Sequence, residues 1–186
     1  IDKDIKKILN LGLSVYEVNS DLLKQLNPDF VLTQSQCSVC AVSCVVVIKL
    51  FSNLLGSKPK LIDLKPNNFN DILTDIRRTA EFLDVVEKAE SLINEIKSEI
   101  LLIKEKLRNE NLKKILCIEW LDPMMVAGNW IPDLLSFSKS HSIIGESGKH
   151  SSFFKLDDIH ENDFDHIIIM PCGYDIYTTK CELEKI

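Results

Sequence analysis

The sequence predicts an α/β protein built as two small parallel-sheet lobes joined by a long helix. Three observations carry that expectation. Short apolar, strand-like runs alternate with helical patterns up to residue 67, and do so again from residue 111 onward. The stretch from 68 to 110 is helical throughout. Pro28, Gly56 and Pro66 fall between these segments and separate them. The expected organisation is therefore a partial first lobe (1–67), connecting helices (68–110) and a partial second lobe (111–186).

Taken in order, "SVYEV" reads as a short strand. Ser20 then caps the helix "DLLKQL", with Asp21 in its first turn, and Pro28 ends it. "DFVLTQ" reads as a buried strand leading into "SQCSVC", and Val39 to Leu55 as a core helix stopped by Gly56. "KLIDLKP" is a further short strand. In the middle stretch, Asp84 and Glu87 have the spacing of a capping box, which places a join between two helices there. Beyond it Val86, Ala89, Ile93, Ile96, Ile100, Ile103 and Leu107 recur every three or four residues. That stripe predicts a helix of about 24 residues, roughly 36 Å long, laid along a core or paired in a short coiled coil. "KKILCIEW" reads as a strand entering the loop "DPMMVAGNW", and Pro132 opens the helix "PDLLSFSKS". Gly145 and Gly148 punctuate a loop, "KLDDI" makes a short turn or helix, and "DHIIIM" is a regular apolar strand followed at once by "PCGYD".

Composition narrows the function. The chain has 186 residues, 45% hydrophobic and 27% charged, and a formal net charge of −6. This is a globular balance with no basic field to neutralise phosphates, so nucleic-acid binding is disfavoured. No apolar run approaches the length of a membrane span; "AVSCVVVIKLF" is interrupted by Lys49.

In open parallel sheets, ligands bind at the loops beyond the carboxyl ends of strands. Three such loops here carry cysteine, aromatic or carboxylate groups that a connecting turn does not need: "TQSQCSVC", "EWLDPMMVAGNW" and "PCGYD". Cys37, Cys40 and Cys44 stand at CxxC and CxxxC spacing, which suits a metal knot, a redox-active pair or the rim of a cleft. Joined by Cys172, they make a possible thiolate set; Cys117 in its strand and Cys181 in a helix read as packing residues. Glu119 and Asp122 are an acid/base pair on paper, though two carboxylates three apart in one loop are common by chance. Trp120 and Trp130 offer flat apolar faces with an N–H donor, suited to a large flat ligand. The four histidines form no HxH or HxxxH pair, and no phosphate-loop, dinucleotide or nucleophile-elbow motif occurs.

Together, "PDFVLTQSQCSVCAV", "IEWLDPMMVAGNWIPDLL" and "DFDHIIIMPCGYD" resemble, in order, the motifs of ABC-transporter solute-binding proteins of the cobalamin and iron-siderophore class, and of its cobalamin-type branch in particular. The resemblance implies a class III periplasmic-binding-protein-like fold, incomplete at both ends, with the ligand between two lobes. It implies Gln36, Cys37 and Cys40 as ligand-facing residues of the first lobe. From the second it implies Glu119, Trp120, Asp122, Trp130, Cys172, Gly173 and Tyr174, with Cys37, Cys40 and Cys172 as possible metal-facing thiols. It implies no catalysis and no required cofactor. Cobalamin or a metal chelate would be the transported small molecule and an ABC permease the partner, outside the cytoplasmic membrane; the residues themselves leave a cytoplasmic placement open. The alternative expectation is a thiol-dependent metal-binding or redox protein using Cys37 and Cys40.

Overall fold

The computed structural model describes residues 18–36, 48 and 59–186, in two compact units divided between Lys65 and Pro66. The strand expected at "SVYEV", the cysteine motif from Cys37 onward and the helix expected from Val39 lie outside the described residues, apart from Val18 and from Ile48, which is helical and exposed.

In the first unit, α1 (Ser20–Leu26) is capped by Asn19, one residue earlier than expected. The Asn19 side-chain oxygen accepts from Leu22 N at 2.9 Å, so the amide takes the cap and the Ser20 hydroxyl turns back to the Val18 carbonyl. Asn27 closes the helix in the left-handed region, its N–H donating to Leu23, and Pro28 follows. Strands β1 (Phe30–Gln34) and β2 (Lys60–Leu64) pair in parallel, Phe30 against Lys60 through Gln34 against Leu64. β1 is half-buried rather than buried; Ile62 of β2 is the buried residue of the pair.

The second unit opens with two helices, α2 (Phe69–Leu83) and α3 (Val86–Lys106). Their join is at Asp84, as the sequence predicts, but for a different reason. Asp84 sits at φ 57°, a left-handed residue that ends α2, and Val85 N–H closes that helix on the Ala80 carbonyl at 2.9 Å. Asp84 is thus the C-cap of α2, and Val85, without a side-chain cap, stands at the N-cap of α3. The capping box belongs instead to Asn68 and Asp71 at the start of α2. α3 has 21 residues, and only Ala89 and Ile93 of its apolar stripe are buried; Val86 and Ile103 are exposed. Its first half lies on α2, where Arg77 forks onto Glu90. Farther along, contact passes from the isoleucines to Lys104, whose ammonium stands 4.9 Å over the Phe137 ring.

The sheet of the second unit is built on β3 (Lys113–Leu121), whose Ile115 to Ile118 are all buried. β4 (Met124–Val126) folds back on β3 as an antiparallel hairpin, so the segment expected as loop is partly strand. α4 (Ile131–Phe137) follows, with Pro132 in its first turn. It stops before "SKS" because Lys139 turns left-handed and Ser140–Ser142 enters the sheet as β5. β6 (Ser152–Phe153) pairs with β4, and β7 (His166–Ile169) runs parallel to β3. The sheet is therefore mixed: β5, β3 and β7 are parallel, while the β4–β6 arm is antiparallel. One edge of β3 serves two strands, its Ile115 carbonyl accepting from Ile143 and its Cys117 carbonyl from Ala127. The other edge, through Lys114 and Ile118, accepts from Asp165 and Met170 beside β7. α5 (Ile176–Leu183), capped by Asp175, ends the chain's regular structure. One buried face holds Ile115, Cys117, Ala127 and Leu135; the opposite face holds Leu116, Ile118, Leu121 and Val126.

Candidate functional site

β3 and β7 are parallel, so their carboxyl ends meet at one end of the second unit. Beyond Ile169 the chain stays on β3: Met170 N donates to Ile118 at 2.8 Å and Cys172 N to Glu119 at 3.2 Å. It then turns sharply, Tyr174 N donating to the Pro171 carbonyl at 3.2 Å, with Gly173 at φ 79°. A tight turn with positive φ at its third residue is the type II geometry, which glycine adopts without steric cost. The sequence "PCGY" thus specifies a turn that lays Tyr174 against the end of β3.

The result is an aromatic pair. The Trp120 and Tyr174 rings lie 5.4 Å apart at 49°, and the indole N–H donates to the Asp122 carbonyl at 3.1 Å. Both rings are half-buried, so each keeps an accessible part. Glu119 is half-buried within β3, while Asp122 and Cys172 are exposed. The structure therefore brings Glu119, Trp120, Asp122, Cys172 and Tyr174 to one strand end, with Gly173 forming the turn. It is the backbone of Asp122, rather than its carboxylate, that fixes Trp120.

Trp130 stands at the N-cap of α4, half-buried and without a side-chain cap. It is placed by the segment before it, where residues that sequence reasoning missed do the positioning. Gly128 N donates to the buried Ser151 hydroxyl at 3.1 Å, Asn129 N to Lys149 at 2.6 Å, and Ile131 N to the Gly128 carbonyl at 3.1 Å. A Cβ at Gly128 would come within 2.5 Å of the Lys149 carbonyl oxygen, so only glycine allows this approach. Asp133, in the first turn of α4, accepts from Phe69 N at 2.8 Å and ties α4 to the start of α2. The sequence signal nearest these contacts was the pair Gly145 and Gly148, which punctuates the facing loop.

In the first unit, Gln36 follows β1 half-buried, its side-chain oxygen accepting from Gln34 Nε2 at 3.4 Å. Cys37 and Cys40 lie outside the described residues. Among the described residues no group of three or more His, Cys, Asp or Glu side chains is placed to hold a metal. Cys172 is a free, exposed thiol; Cys181 is free and half-buried in α5. Cys117 is free and buried in the core, where burial pushes its thiol pKa up, as an inert packing residue requires. His141 is exposed in β5, His166 at the start of β7, and the His150 ring lies 3.0 Å from the Ser151 carbonyl.

The model of one family, the periplasmic binding proteins, matches residues 12–185. The chain belongs to the periplasmic binding protein family. Its class III α/β fold is the one the sequence motifs implied, and the family assignment leaves the thiol–redox alternative without support. Solved structures agree. An ABC transporter substrate-binding protein from Listeria monocytogenes EGD-e superposes with a TM-score of 0.68 at 17% identity, over 90% of this chain and 62% of that one. S. aureus IsdE complexed with heme matches at TM-score 0.66 and 18% identity, over 91% and 64%. The periplasmic vitamin B12 binding protein BtuF of Vibrio cholerae matches at TM-score 0.57 and 12% identity, over 89% and 64%. At these identities the likeness is one of fold, and the chain spans less than two thirds of the length of these proteins. No curated protein matches the sequence significantly. Among the described residues, no helix is long and apolar enough to cross a membrane.

Proposed function

We propose that the chain is the solute-binding component of an ABC importer, acting outside the cytoplasmic membrane on a cobalamin-like or iron-chelate ligand, without catalysis. The observation that carries this reading is the Trp120–Tyr174 pair at the shared carboxyl end of β3 and β7. Two half-exposed rings, one locked by its own indole N–H, form a preorganised apolar surface for a large flat ring system. Glu119 and Asp122 supply acceptors beside it, and the sequence motifs add Trp130 and Gln36 as further ligand residues. Cys172 is assigned to the metal of a metal-bearing ligand, the role that the motifs also imply for Cys37 and Cys40. The permease would dock on the acidic surface that the net charge of −6 reflects.

The test is a titration with cobalamin, haem and a ferric siderophore, followed by quenching of tryptophan fluorescence. Saturable quenching by one of them at micromolar concentration or below is expected; none by any would overturn the reading. For the thiols, Cys172→Ser should weaken binding of haem relative to metal-free porphyrin. Equal loss or no loss for both would remove Cys172 from the metal.

A further inference from the structure

The carboxyl ends of β1 and β2 carry a polar arrangement that the aromatic site does not use. Thr33 and Asp63 are register partners, and Ser35 N donates across to the Leu64 carbonyl at 3.2 Å. One residue past the end of β1, the Ser35 hydroxyl donates to Asp63 Oδ2 at 2.7 Å, and Lys65 Nζ lies 3.0 Å from that same oxygen. The other oxygen, Oδ1, is buried with no hydrogen-bond partner among the described residues. Leaving that oxygen buried and unpaired carries a desolvation cost, which the Ser35 and Lys65 contacts on Oδ2 must offset, and an apolar or small side chain in β2 would avoid it. Asp63 Oδ2 does one thing that such a side chain could not: it fastens the residue that immediately precedes Gln36.

We propose that Asp63 is a positioning residue, clamping Ser35 so that the chain leaves β1 in a single conformation and presents Gln36 from a fixed turn. Two bonds, the Ser35 hydroxyl to Asp63 and the Gln34 amide to Gln36 Oε1, then hold both sides of that turn. The assignment of Gln36 to the ligand rests on the solute-binding reading; the clamp on residues 35 and 36 does not.

The experiment is site-resolved amide hydrogen exchange on Ser35→Ala, Ser35→Thr and Asp63→Asn, with ligand titrations alongside. Ser35→Ala should speed exchange at residues 35 and 36 about tenfold, the worth of one such hydrogen bond, and leave Leu32 and Ile62 unchanged. Ser35→Thr, which keeps the hydroxyl, should restore the wild-type rate. Asp63→Asn, which keeps an acceptor but loses the charge, should fall between. Unchanged exchange at 35 and 36, or a rise spread evenly through β1 and β2, would overturn the clamp. Affinity should follow the same order in whichever ligand the wild type binds. A wild type that binds none of cobalamin, haem or siderophore would refute the solute-binding reading, while the exchange rates still decide the clamp.

Discussion

Gly128→Ala sets one methyl against three backbone atoms at once. Gly128 is fully enclosed between β4 and the 149–151 segment, and a Cβ built there lies 2.5 Å from the Lys149 carbonyl oxygen, 2.8 Å from Ser151 N and 2.9 Å from His150 carbonyl carbon. All three are backbone atoms, so no side chain can swing aside. Each distance falls about half an ångström or more short of the 3.4 Å at which ordinary contact begins. The 149–151 segment must therefore move, stretching the Asn129–Lys149 and Gly128–Ser151 hydrogen bonds together. Overpacking of this kind costs about 1–3 kcal/mol, and one weakened buried hydrogen bond adds about 1 kcal/mol, so a loss of about 2–4 kcal/mol is expected. Urea unfolding followed by circular dichroism measures it as a lower midpoint at unchanged slope. Trp130, two residues on, should also shift its emission. Stability within about 0.5 kcal/mol of wild type, the range of an ordinary surface substitution, would refute the reasoning that this segment is fixed by backbone contact at glycine.

Other perturbations follow from the same geometry. Ile93→Ala removes a side chain with no exposure from the α2–α3 contact and should cost about 2–5 kcal/mol by urea unfolding. Ile103→Ala, on the exposed half of the stripe, should change little. Trp120→Ala should weaken ligand binding by about 1–2 kcal/mol, roughly five- to thirtyfold in Kd, with Tyr174→Phe nearly silent because its ring is retained. Three aspartates are held below the ordinary carboxylate range: Asp165 by the Lys114 N–H, Asp175 by Thr178, and Asp63, where burial pushes upward but Ser35 and Lys65 outweigh it. A folded pKa below the unfolded one means that the unfolded chain binds more protons. These contributions are therefore complete above the unfolded value, about 3.9 for aspartate, and vanish as pH falls through the folded ones. Midpoints measured from pH 6 down to 2 should decline below about pH 4, and Asp175→Asn should flatten part of that decline. In site-resolved alkylation Cys172 should label promptly, and Cys117 only at the rate of unfolding.

Much of this was legible in the sequence, because its signals were local. The join between α2 and α3, the helix opened by Pro132, the strand at "DHIIIM" and the turn at "PCGYD" each depend on a few adjacent residues. What was not legible depends on partners distant in the chain. Asn19 and Ser20 both cap well in isolation, and only the geometry of Leu22 N decides between them. The β4 hairpin replaced an expected loop because Met124–Val126 found an edge of β3 that β5 leaves free. The apolar stripe of α3 announced a buried face but not its extent, since the length of the neighbouring helix sets where burial stops. At the site, Trp120 and Tyr174 were each picked out by residue type. Their pairing required the parallel register of β3 and β7, and the supports at Ser151 and Asp133 required contacts across 23 and 64 residues.

The central claim is that the Trp120–Tyr174 surface receives the ligand. With two tryptophans in the chain, Trp130→Phe leaves Trp120 as the sole reporter. That variant should be titrated with cobalamin, haem and a ferric siderophore, with binding measured in parallel by equilibrium dialysis. The account predicts saturable quenching of Trp120 whose midpoint matches the dialysis Kd. Binding by dialysis with Trp120 emission unchanged would place the ligand elsewhere and contradict it.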